Sequence, residues 1–164
     1  MNLLLRLPEA EETQLRNLFP GLVELTEFED EAHSYKHRSV SIFDHLLTEE
    51  EYDRLLVDVA PAEQVRRNQL HMDMIRVLLG ATRVLTFQCD PDRIPQTIFF
   101  TFTSEEAAIK YFEHTRSQRY VAALPEYRAV YLEGYDDTSH LFYFDDSLVN
   151  PVLSLAKRVG LYVW

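Results

Sequence analysis

Cysteine is nearly absent from this sequence, since Cys89 is the only one among 164 residues. A single thiol excludes an internal disulfide, so the chain is compatible with a reducing compartment, and we expect a cytoplasmic location. Acidic residues follow Cys89, and the residues around it have the pattern of a strand. We therefore predict a buried structural thiol and not a reactive nucleophile.

Glycine is also scarce, and its spacing excludes several families of nucleotide-binding sites. The sequence has four glycines, at Gly21, Gly80, Gly134 and Gly160. These positions cannot form a dinucleotide-binding G-x-G-x-x-G loop or a Walker loop, both of which need closely spaced glycines around a phosphate. The G-x-S-x-G turn that presents a serine nucleophile is missing as well. No cofactor is therefore expected from the sequence.

Long apolar runs are missing too, which bears on membrane insertion and secretion. No run approaches the roughly 20 apolar residues that span a bilayer. The segment Met1–Leu7 is apolar, but no basic stretch precedes it and acidic residues follow it. This pattern differs from a secretory signal, so we expect Met1–Leu7 to form the first strand of the fold.

Charge is distributed unevenly along the chain, whose formal net charge is -11. Residues 1–63 contain 15 acidic and 5 basic side chains, a net of -10, and residues 64–164 contain 12 and 11, a net of -1. Excess negative charge repels phosphate backbones and disfavours direct binding to nucleic acid. A localised negative surface instead favours a basic protein partner, although solubility alone also explains such a composition.

The pattern of apolar residues, turns and caps predicts an α+β fold in a single domain over residues 1–164. Strands are expected at Met1–Leu7, Leu22–Phe28, Ser39–Phe43, Arg83–Cys89, Gln96–Thr103, Tyr127–Glu133, Leu141–Phe144 and Leu161–Trp164. Helices are expected from Pro8 to Phe19, from Thr48 to about Val59, from Pro61 to Gly80, after Ser104, and from Ser147 to Val159, with caps at Thr48, at Thr103 or Ser104, and at Gly160. The side chains expected to be buried on the second and third helices include Tyr52, Leu55, Leu56, Val59 and Val65. Phe99 and Tyr143 are core residues if helices cover both faces of the sheet, and suit protein contacts if they are exposed. Short turns between neighbouring strands predict two β-hairpins. We therefore expect a mixed, mainly antiparallel sheet with about five helices packed on it.

Several polar clusters are candidates for chemistry, and each also has a structural interpretation. His33 and His37 stand four apart after Glu29, Asp30 and Glu31, which suits a metal site if this segment is helical. The segment lacks helical periodicity and the His-Glu-x-x-His pattern, so a polar loop is the favoured interpretation.

The remaining clusters consist of acidic pairs and arginines. The pairs Asp136–Asp137 and Asp145–Asp146 suit Mg²⁺ binding or proton sharing, but turn and cap positions account for both and are the favoured interpretation. The arginines Arg66, Arg67 and Arg76 fit a solvated helix face better than an anion site. Arg116 and Arg119, near Tyr120, suit RNA contacts in principle, but the net charge of the chain disfavours them.

The sequence favours a protein-binding role over catalysis, because no catalytic motif is present and the acidity is concentrated at one end. The first hypothesis is an acidic inhibitor, in concrete form a bacterial immunity protein that neutralises a basic toxin by binding it. The predicted contact residues are Glu27, Glu29, Asp30, Glu31, Glu49, Glu50 and Asp53. Two alternatives remain open: a metal-assisted hydrolase using His33 and His37, and an oligomerising domain that pairs through Leu161–Trp164.

Overall fold

A computed structural model describes residues 2–27, 34–90, 92–93, 96–116 and 119–164. The α-helices are α1 (Glu9–Leu18), α2 (Leu22–Glu27), α3 (Glu49–Leu56), α4 (Pro61–Ala81), α5 (Glu105–Thr115) and α6 (Asp146–Val159). The strands are β1 (Leu4–Arg6), β2 (Lys36–Ser41), β3 (Thr86–Cys89), β4 (Thr97–Phe102), β5 (Val121–Leu124), β6 (Ala129–Glu133), β7 (Thr138–Tyr143) and β8 (Tyr162–Val163).

The strands form two antiparallel sheets, which confirms the α+β prediction. The larger sheet has the order β5-β6-β7-β2-β8, and the smaller one has the order β1-β4-β3. Both predicted hairpins are present, as the β3–β4 pair and the β6–β7 pair. An isolated antiparallel bridge between Leu85 and Ala123 connects the end of the smaller sheet to β5 in the larger one.

The larger sheet lies between two hydrophobic cores, because successive residues of a strand point to opposite faces. On β6, Ala129 and Tyr131 belong to the core formed with α4, α5 and α6. Val130 and Leu132 belong to the second core, formed with α1, α2 and the smaller sheet. The central strands are thus covered on both sides, and Phe99 and Tyr143, whose burial the sequence left open, are core residues.

Helix caps predicted from the sequence fix the start of several helices. Thr48 accepts a hydrogen bond from the Glu51 backbone N–H, and the Glu51 carboxylate accepts one from the Thr48 backbone N–H, which is a complete capping box. Ser104 caps α5, and Asp145 caps α6 through its bond to the Ser147 backbone N–H. At the other end of α6, Gly160 has a φ of 97°, the left-handed conformation that terminates helices.

The predicted second strand, Leu22–Phe28, is wrong, because residues 22–27 form helix α2. Its buried side chains include Leu22 and Leu25, three residues apart, as one face of a helix requires. The Thr26 hydroxyl donates to the Leu22 carbonyl, a bond within one helical turn. The apparent alternation over so few residues was compatible with both periods, and packing against the core selected the helix.

Other differences concern boundaries and burial. Helix α3 ends at Leu56 and contains no buried residue, whereas the sequence predicted burial of Tyr52, Leu55, Leu56 and Val59. Val65 is 67% exposed on α4 instead of lying in the core. Strand β2 begins at Lys36, before the predicted Ser39, and strand β5 was not predicted.

None of the helices in the described part of the chain combines the length and apolarity that crossing a bilayer requires. The longest, α4, has charged and amide side chains along its length. One of them, Arg67, faces inward and donates a hydrogen bond to Asp137 in the β6–β7 turn.

Candidate functional site

A polar cavity of about 210 Å³ lies between helix α4, the residues that follow α5, and the turn that joins β6 to β7. Its lining residues are Gln64, Asn68, His71, Arg116, Arg119, Glu133, Gly134, Tyr135, Asp137, Thr138 and Ser139. Ligand sites usually occupy roughly 300–1,000 Å³, so the volume suits only a small molecule. We refer to this space as the cavity.

Helix α4 contributes three side chains to the cavity from one face, since Gln64, Asn68 and His71 are four and three residues apart. His71 is 3% exposed, and its Nε2 lies 3.1 Å from the Asp137 carbonyl oxygen. A carbonyl only accepts, so Nε2 is the protonated nitrogen and Nδ1 is left as an acceptor. Burial lowers the pKa of His71 to about 4, and the Arg116 charge adds to this effect. His71 is therefore neutral at physiological pH.

The β6–β7 turn contributes backbone geometry as well as side chains. Asp137 adopts a left-handed conformation with a φ of 55°, and its carboxylate pairs with Arg67 at 3.2 Å. A Cβ atom at Gly134 would overlap the Thr138 carbonyl oxygen, so only glycine fits this close approach. The turn is therefore fixed by the close approach of Gly134 to Thr138 and by the Asp137–Arg67 ion pair, and Asp137 lies against α4.

Two arginines close the cavity from the segment after α5. Arg116 lies with its Nε 3.3 Å from Glu133 Oε1, and its Nη1 donates to the Asn68 carbonyl at 2.6 Å. Arg119 donates from Nε to the Glu133 carbonyl at 3.2 Å, and its guanidinium lies over the Tyr135 ring at 4.4 Å. Both cations thus converge on the end of β6.

Glu133 is the most strongly perturbed acid of the cavity. It is 7% exposed at the end of an otherwise apolar strand. Burial raises the pKa of the Glu133 carboxyl to about 7, although the neighbouring Arg116 guanidinium opposes this shift. A carboxyl with this pKa exchanges its proton near neutral pH.

Two buried atoms of cavity-lining residues have no hydrogen-bond partner among the described residues: His71 Nδ1 and Glu133 Oε2. Leaving such a group unsatisfied costs about 1–3 kcal/mol, so native proteins rarely do so without water or a ligand nearby. A polar occupant of the cavity, water included, would satisfy both atoms.

The residues predicted as a partner-binding surface are only partly placed by the structure. Glu49, Glu50 and Asp53 are exposed together on α3. Glu27 is the last residue of α2, and Glu29, Asp30 and Glu31 lie outside the described residues.

Several other acids of the first 63 residues are paired with arginines of the same chain. Glu12 is fully buried between Arg6 and Arg16, at 3.0 Å from each. Glu63 pairs with Arg66 and Arg67 on α4. Part of the negative charge in this part of the sequence is therefore compensated internally.

The metal site predicted at His33 and His37 depends on a helical segment, whereas the structure places His37 in a strand. His37 lies on β2, where its Nε2 is 2.9 Å from Nδ1 of His140 on β7, so the segment is a strand and not a helix. His33 lies outside the described residues. Among the residues described, no group of three or more metal-ligating side chains is arranged to hold an ion.

Two further expectations, for Arg67 and Cys89, need correction, and Asp137, Arg116 and Arg119 have positions in the cavity that the sequence did not predict. Arg67, expected on a solvated face, is 6% exposed and bonded to Asp137, which itself lines the cavity instead of serving only as a turn residue. Cys89 is partly exposed instead of buried. Arg116 and Arg119 lie in the cavity wall.

Sequence reasoning missed Glu133 and His71, the two residues of the cavity whose pKa burial shifts strongly. A signal was present for each. Glu133 ends an apolar strand that is buried throughout, and His71 continues a polar stripe on a core helix. Either feature alone is common, and only the fold brings the two positions together.

Comparison of the chain with models of known protein families, with curated proteins and with solved structures finds no match.

Proposed function

We propose that this protein is a ligand-binding domain that holds a small polar molecule in the cavity. The observation that supports this function best is the pair of unsatisfied buried acceptors, His71 Nδ1 and Glu133 Oε2, on residues that line the cavity. A ligand that offers N–H or O–H groups to His71 Nδ1 and Glu133 Oε2 would remove the cost of burying them. Arg116 and Arg119 would bind oxygen atoms of the same molecule.

The test is a thermal-shift screen of the whole protein against small polar metabolites. A compound that binds only the folded state stabilises it by about 2.7 kcal/mol at 100 times its Kd, which raises the melting temperature measurably. We expect at least one compound to raise the melting temperature of the wild-type protein. The same compound should raise the melting temperature of Glu133→Gln much less. Thr13→Val, which removes an exposed hydroxyl on α1, is the matched control and should keep the full shift. A complete screen without a shift, or a shift indifferent to Glu133→Gln, would contradict the proposal.

A second candidate function is the acidic inhibitor, and the exposed acids of α3 favour it. Glu49, Glu50 and Asp53 have no ion pair with any described residue, unlike Glu12 and Glu63. A bacterial immunity protein acting in the cytoplasm would use such a surface to bind a toxin rich in lysine and arginine.

This second function is tested by charge reversal on α3. Lysine at Glu49, Glu50 and Asp53 should slow association with a basic partner captured by the wild-type protein, and should reduce the salt dependence of binding. Reversal of Glu105, Glu106 and Glu113 on α5 changes the net charge equally and serves as the control. Equal effects of the two triple variants would exclude α3 as the docking surface.

A further inference from the structure

We infer that the ligand of the cavity is a small α-amino acid, bound as a zwitterion with its ammonium group at Glu133 and His71 and its carboxylate at the arginines. This inference rests on the proposed ligand-binding function and names the ligand class for the same site. It follows from the charge balance of the wall, from the kind of unsatisfied atoms it contains, and from the size of the space.

Charge balance excludes ligands with a large net charge. With Glu133 ionised, the charged lining residues are two cations, Arg116 and Arg119, and two carboxylates, Glu133 and Asp137, while His71 is neutral. A net charge added to such a buried site stays uncompensated, which costs several kcal/mol. A molecule whose own charges cancel avoids that cost, while still using both signs of charge on the wall.

The unsatisfied atoms indicate which cationic group the ligand carries. His71 Nδ1 and the ionised Glu133 Oε2 are both acceptors. A primary ammonium group has three donors and no acceptor, as in a lysine side chain. One such group therefore matches the set, and its charge also compensates the buried carboxylate of Glu133, to which Arg116 contributes only at Oε1.

The remaining polar groups of the wall suit a carboxylate. Arg116 and Arg119 supply guanidinium groups, which bind carboxylates with favourable geometry. Gln64 Nε2 donates to Asn68 Oδ1 at 2.9 Å, so the Asn68 amide N–H groups remain for another acceptor. The cavity thus offers donors and acceptors to one compact molecule, and its volume of about 210 Å³ limits the ligand to a short side chain.

Different classes of ligand are expected to differ in the number of protons that the protein releases or takes up on binding. An ammonium group beside Glu133 lowers its pKa from about 7, so binding releases a proton near neutral pH. Affinity should then be about tenfold weaker at pH 6 than at pH 8, where Glu133 is already ionised. Hydrogenphosphate or another oxyanion would act in the opposite sense and take up a proton. A neutral polar compound would leave the proton count nearly unchanged.

The experiment is isothermal titration calorimetry of the whole protein with glycine, L-alanine, L-serine and L-threonine. Acetate, ethylamine, N-acetylglycine and inorganic phosphate are the comparison probes, because each lacks the ammonium or the carboxylate. Titrations at pH 7 in two buffers of different ionisation enthalpy give the number of protons released. We expect one or more amino acids to bind with proton release, and the comparison probes to bind at least tenfold more weakly.

Substitutions in the cavity test whether Glu133 binds the ammonium group of the ligand and whether Arg119 binds its carboxylate. Glu133→Gln should weaken amino-acid binding at least tenfold and abolish the proton release, while Arg119→Gln should weaken binding without abolishing it. Arg158→Gln, on the exposed last turn of α6, is the control and should bind like the wild type. Circular dichroism of each variant verifies that the fold is retained.

The outcomes separate this inference from the function on which it rests. If phosphate, acetate or a neutral compound binds in the cavity and amino acids do not, the amino-acid assignment is wrong and the ligand-binding function stands. If no compound of the polar screen binds and Glu133→Gln alters only stability, the cavity holds water alone and both proposals fail.

Discussion

Glu133 carries an electrostatic cost that its surroundings offset only in part. Its pKa is raised to about 7 by burial, so the folded protein keeps the proton that the unfolded chain releases near 4.5. Between these two values the folded state binds more protons than the unfolded state, and the free energy of unfolding falls as the pH rises. At pH 8 the full penalty, roughly 3 kcal/mol for a shift of this size, is present.

Replacing Glu133 by glutamine should remove this dependence. The difference in unfolding free energy between Glu133→Gln and the wild type is expected to shift in favour of the variant as the pH rises from 5 to 8. Urea denaturation at several pH values measures it. Glu50→Gln, at an exposed carboxylate on α3, is the control. A constant difference across this range would mean that Glu133 ionises normally.

His71 should be silent in a titration over the physiological range. Its pKa is lowered to about 4 by burial, whereas that of His45 is raised by hydrogen bonds to Asp44 and Glu51. In NMR spectra recorded from pH 8 to pH 5, the His45 ring signals should move and the His71 signals should stay in place. Since the unfolded chain protonates its histidines near 6.5, His71 also makes the protein lose stability as the pH falls from 6.5 toward 4. Titration of His71 near 6.5 would contradict the assigned burial.

Gly134 is the residue at which the turn tolerates no side chain. The methyl group added in Gly134→Ala would overlap the Thr138 carbonyl oxygen, which forces the turn to move. We expect this substitution to destabilise the protein by about 1–3 kcal/mol and to weaken the binding of any ligand in the cavity. Gly80→Ala, at a helical position with open space around the added methyl group, should be neutral or slightly stabilising. Equal melting temperatures for the two variants would exclude the clash.

Among the α-helices, α3 depends most on its own local interactions, because none of its residues is buried. Thr48→Ala removes the side-chain half of the capping box and should cost about 1 kcal/mol, expressed mainly as faster amide exchange within α3. The control Thr13→Ala removes a hydroxyl within α1 that bonds to the Glu9 carbonyl and should leave α3 unaffected. Unchanged exchange in α3 would show that other contacts hold the helix.

The elements predicted from the sequence were those with local signals. Capping residues at Thr48 and Ser104, and the glycine at 160, placed the ends of helices well. Strand β5 was missed because Val121–Leu124 is a short apolar run with no alternation, and α2 was mistaken for a strand because six residues do not define a period.

The cavity was beyond sequence reasoning for a different reason. Its acid at the end of β6 and its imidazole on α4 are distant in the chain, and each looks ordinary in its local context. Their changed chemistry arises from burial, which depends on how the hairpin and the helix pack. The residues that local patterns did identify, such as Asp137 in its turn, acquire a second role only in the folded protein.

At the scale of the whole molecule, the shared central sheet should make unfolding cooperative. Leu78 belongs to the core on one face of this sheet, and Phe99 belongs to the core on the other. Leu78→Ala and Phe99→Ala should each reduce the free energy of unfolding by about 2–5 kcal/mol. Each variant should still unfold in a single transition, at a lower midpoint, and tryptophan fluorescence and far-ultraviolet circular dichroism should report the same midpoint. Separate transitions in either variant would show that the two cores fold independently.

The only tryptophan of the chain is connected to the cavity through direct contacts. The Trp164 indole donates from Nε1 to the Phe43 carbonyl at 3.0 Å, and the Arg67 guanidinium lies 5.6 Å from the centre of the Phe43 ring. Arg67 in turn holds the Asp137 carboxylate. An occupant that displaces Asp137 would therefore alter the surroundings of the single indole, and the unlabelled protein carries its own optical reporter of binding.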